Sequence, residues 1–316
     1  MLEGNALNCT RGHAISAIAE LLRQNPDYFL RFKSCIAELT IDVNPIINYA
    51  VLQALYPAYN IEKKWAVERI MQLFEKNYKL IGFPRSRWIF CRCYSDYKKI
   101  IIEAINKAMK TKDKRLLRVS GHSISELYMI YDEFDDILER YIHAEKLLRQ
   151  AILEMIIIYF GLNKYKIKAK KILMKIIEIE NDLDNDFLWA RLFRNEILDA
   201  KDDSDLIKKI LYSKLNKNVL MYFSDFIRKQ ENLRDYSDLI IESGVSIFGE
   251  NQKNPKQLWG QEVEISKLII GLYDITSVSS LEKDKSIARK CLDIWDKMYE
   301  CNVGVARMFT NQMMCV

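Results

Sequence analysis

Three histidines, His13, His122 and His143, are where metal or acid–base chemistry would first be sought, and they offer little. Only His122 has a carboxylate at i+3 or i+4, Glu126, whereas a metal needs three or four converging ligands. That spacing predicts a packing or surface role and no metal site. Asp132/Asp136 and Asp135/Glu139 are also four apart, so each pair would share a helix face and raise each other's pKa if buried. Acids beside a helix start are more simply solvated groups that complement the helix dipole. The seven cysteines are odd in number, and Cys91-x-Cys93 is one residue short of a metal or redox pair. They read as reduced thiols of a cytoplasmic protein. No G-x-S-x-G elbow, H-E-x-x-H pair, Rossmann glycine series or G-x-x-x-x-G-K-[ST] loop is present. The chain therefore predicts no catalytic residue, no cofactor and no metal.

Two basic patterns carry more information. Lys164, Lys168, Lys171 and Lys175 recur at i, i+4, i+7 and i+11, a positive stripe that Lys166 and Lys170 widen. Ile167, Ile172, Leu173, Ile176 and Ile177 supply the apolar side of the same helix. Such a stripe suits phosphate neutralisation, although lysine also commonly fills exposed helix positions. The second pattern is Arg85, Arg87, Trp88, Phe90, Arg92, Tyr94 and Tyr97, closed by Lys98 and Lys99. Arginine forks grip phosphate or carboxylate, and the aromatics could stack on bases or cover a peptide. The same spacing serves ordinary packing, with Trp88 and Arg92 on one face and Phe90 and Tyr94 on another.

The elements that must position these residues read as helices throughout. Apolar residues return every three or four positions, and only 10 Gly and 5 Pro interrupt 316 residues. A helix capped by Thr10 carries Ala14, Ile15, Ile18, Leu21 and Leu22. Pro26 and Pro45 open the next two, and Pro57 closes the third. Gly82-Phe83-Pro84 is the clearest break, followed by a helix pair over 87–94 and 96–110. Gly121 sits inside a helix beginning at Lys112-Asp113. The polar stretch 249–255 reads as the most mobile loop, and Ser279-x-x-Glu282 has capping-box form. The spacing fits a period of about 40 residues, that of HEAT-like repeats. With 49% hydrophobic and 29% charged residues, the chain can bury a substantial core. Its net charge of +5 permits an anionic partner without demanding one. No secretory signal or membrane-length apolar run is seen.

The segment Asn8-Cys9-Thr10-Arg11-Gly12-His13-Ala14-Ile15-Ser16-Ala17-Ile18-Ala19 resembles a small-residue helix start found in bacterial STAND-type NTPases. Some of these are associated with defence against phage. The stretches 264–273 (Glu-Ile-Ser-Lys-Leu-Ile-Ile-Gly-Leu-Tyr) and 291–298 (Cys-Leu-Asp-Ile-Trp-Asp-Lys-Met) are similar to the final helices of that family's C-terminal repeat region. The resemblance implies a sensor or regulatory arm. The missing phosphate-binding loop means that ATP hydrolysis does not carry over.

The expectation is an all-α, right-handed α-solenoid of HEAT-like repeats, one domain over 1–316 with a soft break near 180–186. It would be a non-enzymatic recognition module with a protein partner, associated with an NTPase and not with a membrane. The alternatives are a nucleic-acid binder using the basic stripe and, more remotely, a HEAT-like DNA glycosylase using Trp88 and Asp96.

Overall fold

The computed structural model describes residues 2–179, 186–194, 197–249 and 261–301, with Val303, Gly304, Ala306, Arg307 and Thr310. The expected break near 180–186 lies almost wholly outside them, as does most of the expected mobile loop. The described residues form an all-α protein of sixteen helices and no strand. They fall into two compact units, Met1–Met155 and Ile156–Val316.

Met1–Met155 begins with α1 (Leu2–Leu7) and α2 (Thr10–Gln24). Cys9 rather than Thr10 caps α2, its sulfur accepting the Gly12 N–H at 3.2 Å, and Thr10 is the first helical residue. Ile15, Ala19 and Leu22 form the buried stripe of α2, and Ala14 is exposed. After α3 (Tyr28–Ile41), Asn44 caps α4 (Pro45–Ile61) through its side chain, with Pro45 at the first position. Pro57 does not close α4 but lies inside it, buried among Tyr56, Ala58 and Tyr59. Surrounding burial overrides the local cost of a proline that cannot donate to the preceding turn.

Helix α5 (Lys63–Lys76) and a 3₁₀ turn (Tyr78–Gly82) lead into α6 (Ser86–Met109). The expected helix pair over this stretch is one element with a kink at Tyr97, where φ is −127° and ψ 24°. Asp113 caps α7 (Lys114–Tyr131) by accepting two backbone N–H groups. Asp132 and Phe134 turn the chain with positive φ into α8 (Ile137–His143) and α9 (Lys146–Phe160). In this unit α4 packs on α1, α2, α3 and α5, α5 on α6, and α6 on α7. Ile36, Leu52, Leu55, Phe74 and Phe90 are wholly buried, each contributing roughly 1.5–3 kcal/mol by leaving water.

Ile156–Val316 holds the end of α9, then α10 (Lys166–Ile179), α11 (Asp186–Arg194), α12 (Ser204–Leu211) and α13 (Asn216–Arg228). A 3₁₀ turn (Leu233–Tyr236) precedes α14 (Ser237–Phe248), α15 (Gln261–Ser277) and α16 (Glu282–Glu300). The even-numbered helices pack in series, α10 on α12, α12 on α14 and α14 on α16, and the odd ones likewise from α11 to α15. Trp189 is fully buried, and Phe193 meets Phe223 and Phe226 edge-on. The capping box at Ser279 does not form. The helix starts at Glu282, and the Ser279 hydroxyl accepts the Leu281 N–H within the preceding turn.

Candidate functional site

Helix α6 sorts its basic residues onto two sides. Arg85, Trp88 and Arg92, at i, i+3 and i+7, turn together toward α4. The Arg85 guanidinium lies 5.8 Å from the Tyr56 ring centre, Trp88 meets Tyr59 edge-on at 4.9 Å, and Arg92 lies 4.8 Å above Trp88. Lys63, at the start of α5, stands 5.8 Å from the other partner in this stack, Tyr59. Trp88 remains 40% exposed. Arg85, Arg92 and Lys63 are exposed and pair with no described carboxylate. A second cluster sits on α3 and α5, where Lys33 and Arg69 flank Trp65, itself edge-on to Phe29, but there Lys33 is also paired with Glu62 at 2.6 Å.

Arg87 belongs elsewhere. Its Nε meets Glu126 Oε2 of α7 at 2.9 Å, and its Nη1 reaches Met155 Sδ at 3.3 Å. That commits Arg87 to the α6–α7 seam and corrects its placement with Arg85, Trp88 and Arg92. Phe90 and Tyr94 are buried packing residues, against Phe74 and Tyr131. Asp96 is exposed on α6, and no contact joins it to Trp88, whose ring carries Arg92.

The His122/Glu126 pair is not realised either. Glu126 serves Arg87, and His122 Nε2 instead contacts Glu154 Oε2 of α9 at 3.0 Å, a carboxylate that also accepts from Arg118 at 3.0 Å. No group of metal-ligating side chains is found among the described residues. Burial pushes the His122 pKa below its ordinary 6.5; Glu154 opposes the shift, and the charges of Arg87 and Arg118 add to it. Burial raises the Glu154 pKa, but hydrogen bonds from His122 and Arg118 outweigh it and hold the carboxyl below its ordinary 4.5. Both shifts act the same way on stability. A depressed folded pKa means that the unfolded chain takes up the proton first. The contribution is complete above the unfolded values and is lost as pH falls, first from about 6.5 and then from about 4.5. The urea midpoint should therefore drop between pH 8 and pH 5, and His122→Gln should flatten that slope. An unchanged slope in the variant would assign the dependence to other groups.

The acidic pairs lie outside any shared helix face, because α8 begins only at Ile137. Asp132 ends α7 in the left-handed region, and Asp136 accepts from Arg140 at 2.7 Å. Cys91 and Cys93 are free thiols at i and i+2 on α6, a spacing that does not bring side chains together. Burial raises both thiols, and Glu126 beside Cys91 raises that one further.

In Ile156–Val316 the lysine stripe is shorter than its spacing suggests. Lys164 precedes α10 and stands over Tyr165. Lys166 and Lys170 do not widen a binding face. They converge on Asp203, whose side chain is only 2% exposed, at 2.7 and 3.4 Å, and Lys170 also pairs with Asp205. Lys168 is half-buried, while Lys171 and Lys175 remain exposed one turn apart.

Sequence reasoning missed Lys63, Tyr59 and the Lys33/Trp65/Arg69 group. A running charge count would have pointed to the region. Residues 63–118 hold sixteen Lys or Arg against five Asp or Glu, an excess of eleven that exceeds the net +5 of the whole chain, so the remainder is net acidic. Compared with models of known protein families, with curated proteins and with solved structures, the chain matches none. Among the described residues no helix is long and apolar enough to cross a membrane.

Proposed function

We propose that this chain is a non-enzymatic recognition module whose basic, aromatic surface in Met1–Met155 receives an acidic segment of a protein partner. The observation that carries this reading is that Arg85, Arg92 and Lys63 rest on rings rather than on carboxylates. A cation over a ring keeps its N–H donors for an incoming carboxylate, and the flat ring holds it in place. Arg87, neutralised by Glu126, contributes position rather than charge.

The architecture of this module is proposed to be a right-handed, HEAT-like α-solenoid. Two observations support the repeat. Even helices stack on even and odd on odd through Ile156–Val316. Side-chain links between helices also recur in both units at sequence separations such as 31, 37, 28, 36 and 41 residues. That range brackets a helical-pair repeat. The resemblance to the C-terminal region of STAND-type NTPases supports a regulatory arm in a cytoplasmic, antiviral-defence setting, acting on an associated NTPase.

A second reading, single-stranded nucleic acid, is favoured by one feature, the exposed Trp88 between two arginines, which offers a base a stacking surface. Fluorescence anisotropy across a salt series, with a glutamate-rich peptide and with single- and double-stranded DNA and RNA, separates the two. The peptide should bind, and Arg85→Glu with Arg92→Glu should weaken it by about tenfold or more. If nucleic acid binds instead, the same substitutions should flatten the log–log salt slope by about 1.4, two cations' worth on a single strand. Lys171→Glu with Lys175→Glu tests the lysine stripe in the same assay. No binding of either probe at low salt would remove both readings.

A further inference from the structure

A polar cleft of about 620 Å³ lies in Ile156–Val316, where the Leu233–Tyr236 turn and the start of α14 meet the first turns of α16. It is independent of the basic surface of Met1–Met155. Its lining carries charges of both signs that the chain leaves uncompensated. Lys283 and Lys290 are exposed, seven residues apart on α16, and pair with no described acid, whereas nearby Lys285 pairs with Glu282 at 2.7 Å. Asp238 on α14 is exposed and pairs with no described cation. Lys201 and Asp235, which also line the cleft, contact each other at 3.4 Å.

Asp284 is the unusual member, a carboxylate residue only 5% exposed. Among the described residues its one ion-pair partner is Arg234, whose Nη2 stands 3.5 Å away and donates to the Ile275 carbonyl at 2.8 Å. Asp284 Oδ2 and Arg234 Nε are both buried, and neither has a hydrogen-bond partner among the described residues. A desolvated carboxylate held at that distance is destabilising unless something else completes its shell. A cavity of this volume falls within the range of small-molecule sites, which typically set a few polar groups around a ligand.

We propose that this cleft binds a small zwitterion, its ammonium meeting Asp238 and Asp284 and its oxyanion meeting Lys283 and Lys290. A simple anion would face two carboxylates, and a simple cation two free lysines. Only a ligand carrying both charges compensates both the lysines and the carboxylates. Arg234, with 37% of its side chain exposed, turns aside from Asp284 to admit the ammonium.

Calorimetric titration of the full chain with triglycine and with O-phosphoethanolamine tests this, and the two probes separate a carboxylate from a phosphate source. The controls are N-acetyl-triglycine and triglycine amide, each lacking one charge, with ethyl phosphate and ethylamine for the second probe. At least one zwitterion should bind about tenfold more tightly than its single-charge controls. Lys283→Ala with Lys290→Ala, and separately Asp238→Asn, should each weaken it by about tenfold. Asp238 is exposed, so its substitution reads binding even if Asp284→Asn disturbs the start of α16. Equal binding of the single-charge controls, or no heat from either zwitterion at millimolar concentration, would overturn the assignment and leave the cleft to water.

Discussion

Gly121→Ala is expected to destabilise the protein even though alanine is the better helix former. A methyl group built on Gly121 would stand 2.7 Å from the Ala151 Cβ and 3.0 Å from the Leu148 carbonyl, both on α9. The glycine is what lets α7 and α9 approach closely in Met1–Met155, and a carbonyl cannot step aside as a flexible side chain can. The helix-propensity gain of about 1 kcal/mol is set against an overpacking cost of roughly 1–3 kcal/mol. Gly121→Val adds two more methyl groups and should cost about 3 kcal/mol or more. Urea denaturation gives both values, and a raised midpoint for Gly121→Ala would show that the helices can part freely. Gly12 is a second close approach, where a Cβ would lie 1.7 Å from the Ala6 carbonyl of α1. Should Gly121→Val unfold Met1–Met155, the surface around Arg85, Trp88 and Arg92 would go with it.

Asp203→Ala should produce the second large effect, in Ile156–Val316. Asp203 is buried just ahead of α12, where its carboxylate contacts Lys166 at 2.7 Å and accepts the Asp199 N–H at 2.9 Å. Removing it strands Lys166, while Lys170 retains Asp205 and the Asp202 carbonyl. Breaking a buried pair from one side costs roughly 3–5 kcal/mol; the lysines here keep some water, so about 2–4 kcal/mol is expected. Asp203→Asn can preserve the bond to Asp199 and should fall between wild type and Asp203→Ala. A double-mutant cycle with Lys166→Met checks the cause. Lys166→Met should cost less in the Asp203→Ala background than alone, and strict additivity would rule out the pair as the origin.

This ion pair shows where reading along the chain stops. Helical spacing placed Lys166 and Lys170 beside Lys168 and Lys171 as one charged face, and all four do lie on or at the start of α10. Spacing reports which residues share a helix, not what stands opposite. Asp203 is over thirty residues away, and only the packing of α12 on α10 brings its carboxylate there. Arg87 was misplaced for the same reason, because Glu126 comes from α7. Arg85, Trp88 and Arg92 kept their expected association, since i, i+3 and i+7 is a local relation fixed by helix geometry.

By itself, then, the sequence determined that the chain is helical, with apolar stripes that become the buried faces of α2, α4, α5 and α7. It also determined that Pro45 and Asp113 mark helix starts. These follow from the 3.6-residue period and from capping chemistry, which act within a few residues. The tertiary structure decided the rest. It kept Pro57 inside α4, ran α6 on through a kink at Tyr97, and started α16 at Glu282. It also sorted the charges, burying Asp203 with its lysines, seating His122 on Glu154, and leaving Arg85 and Arg92 on aromatic rings. Local propensities differ by about 1 kcal/mol for ordinary residues and about 3 kcal/mol for an interior proline, whereas each large apolar side chain buried contributes roughly 1.5–3 kcal/mol and many are buried together, so the packed neighbours prevail wherever the two conflict.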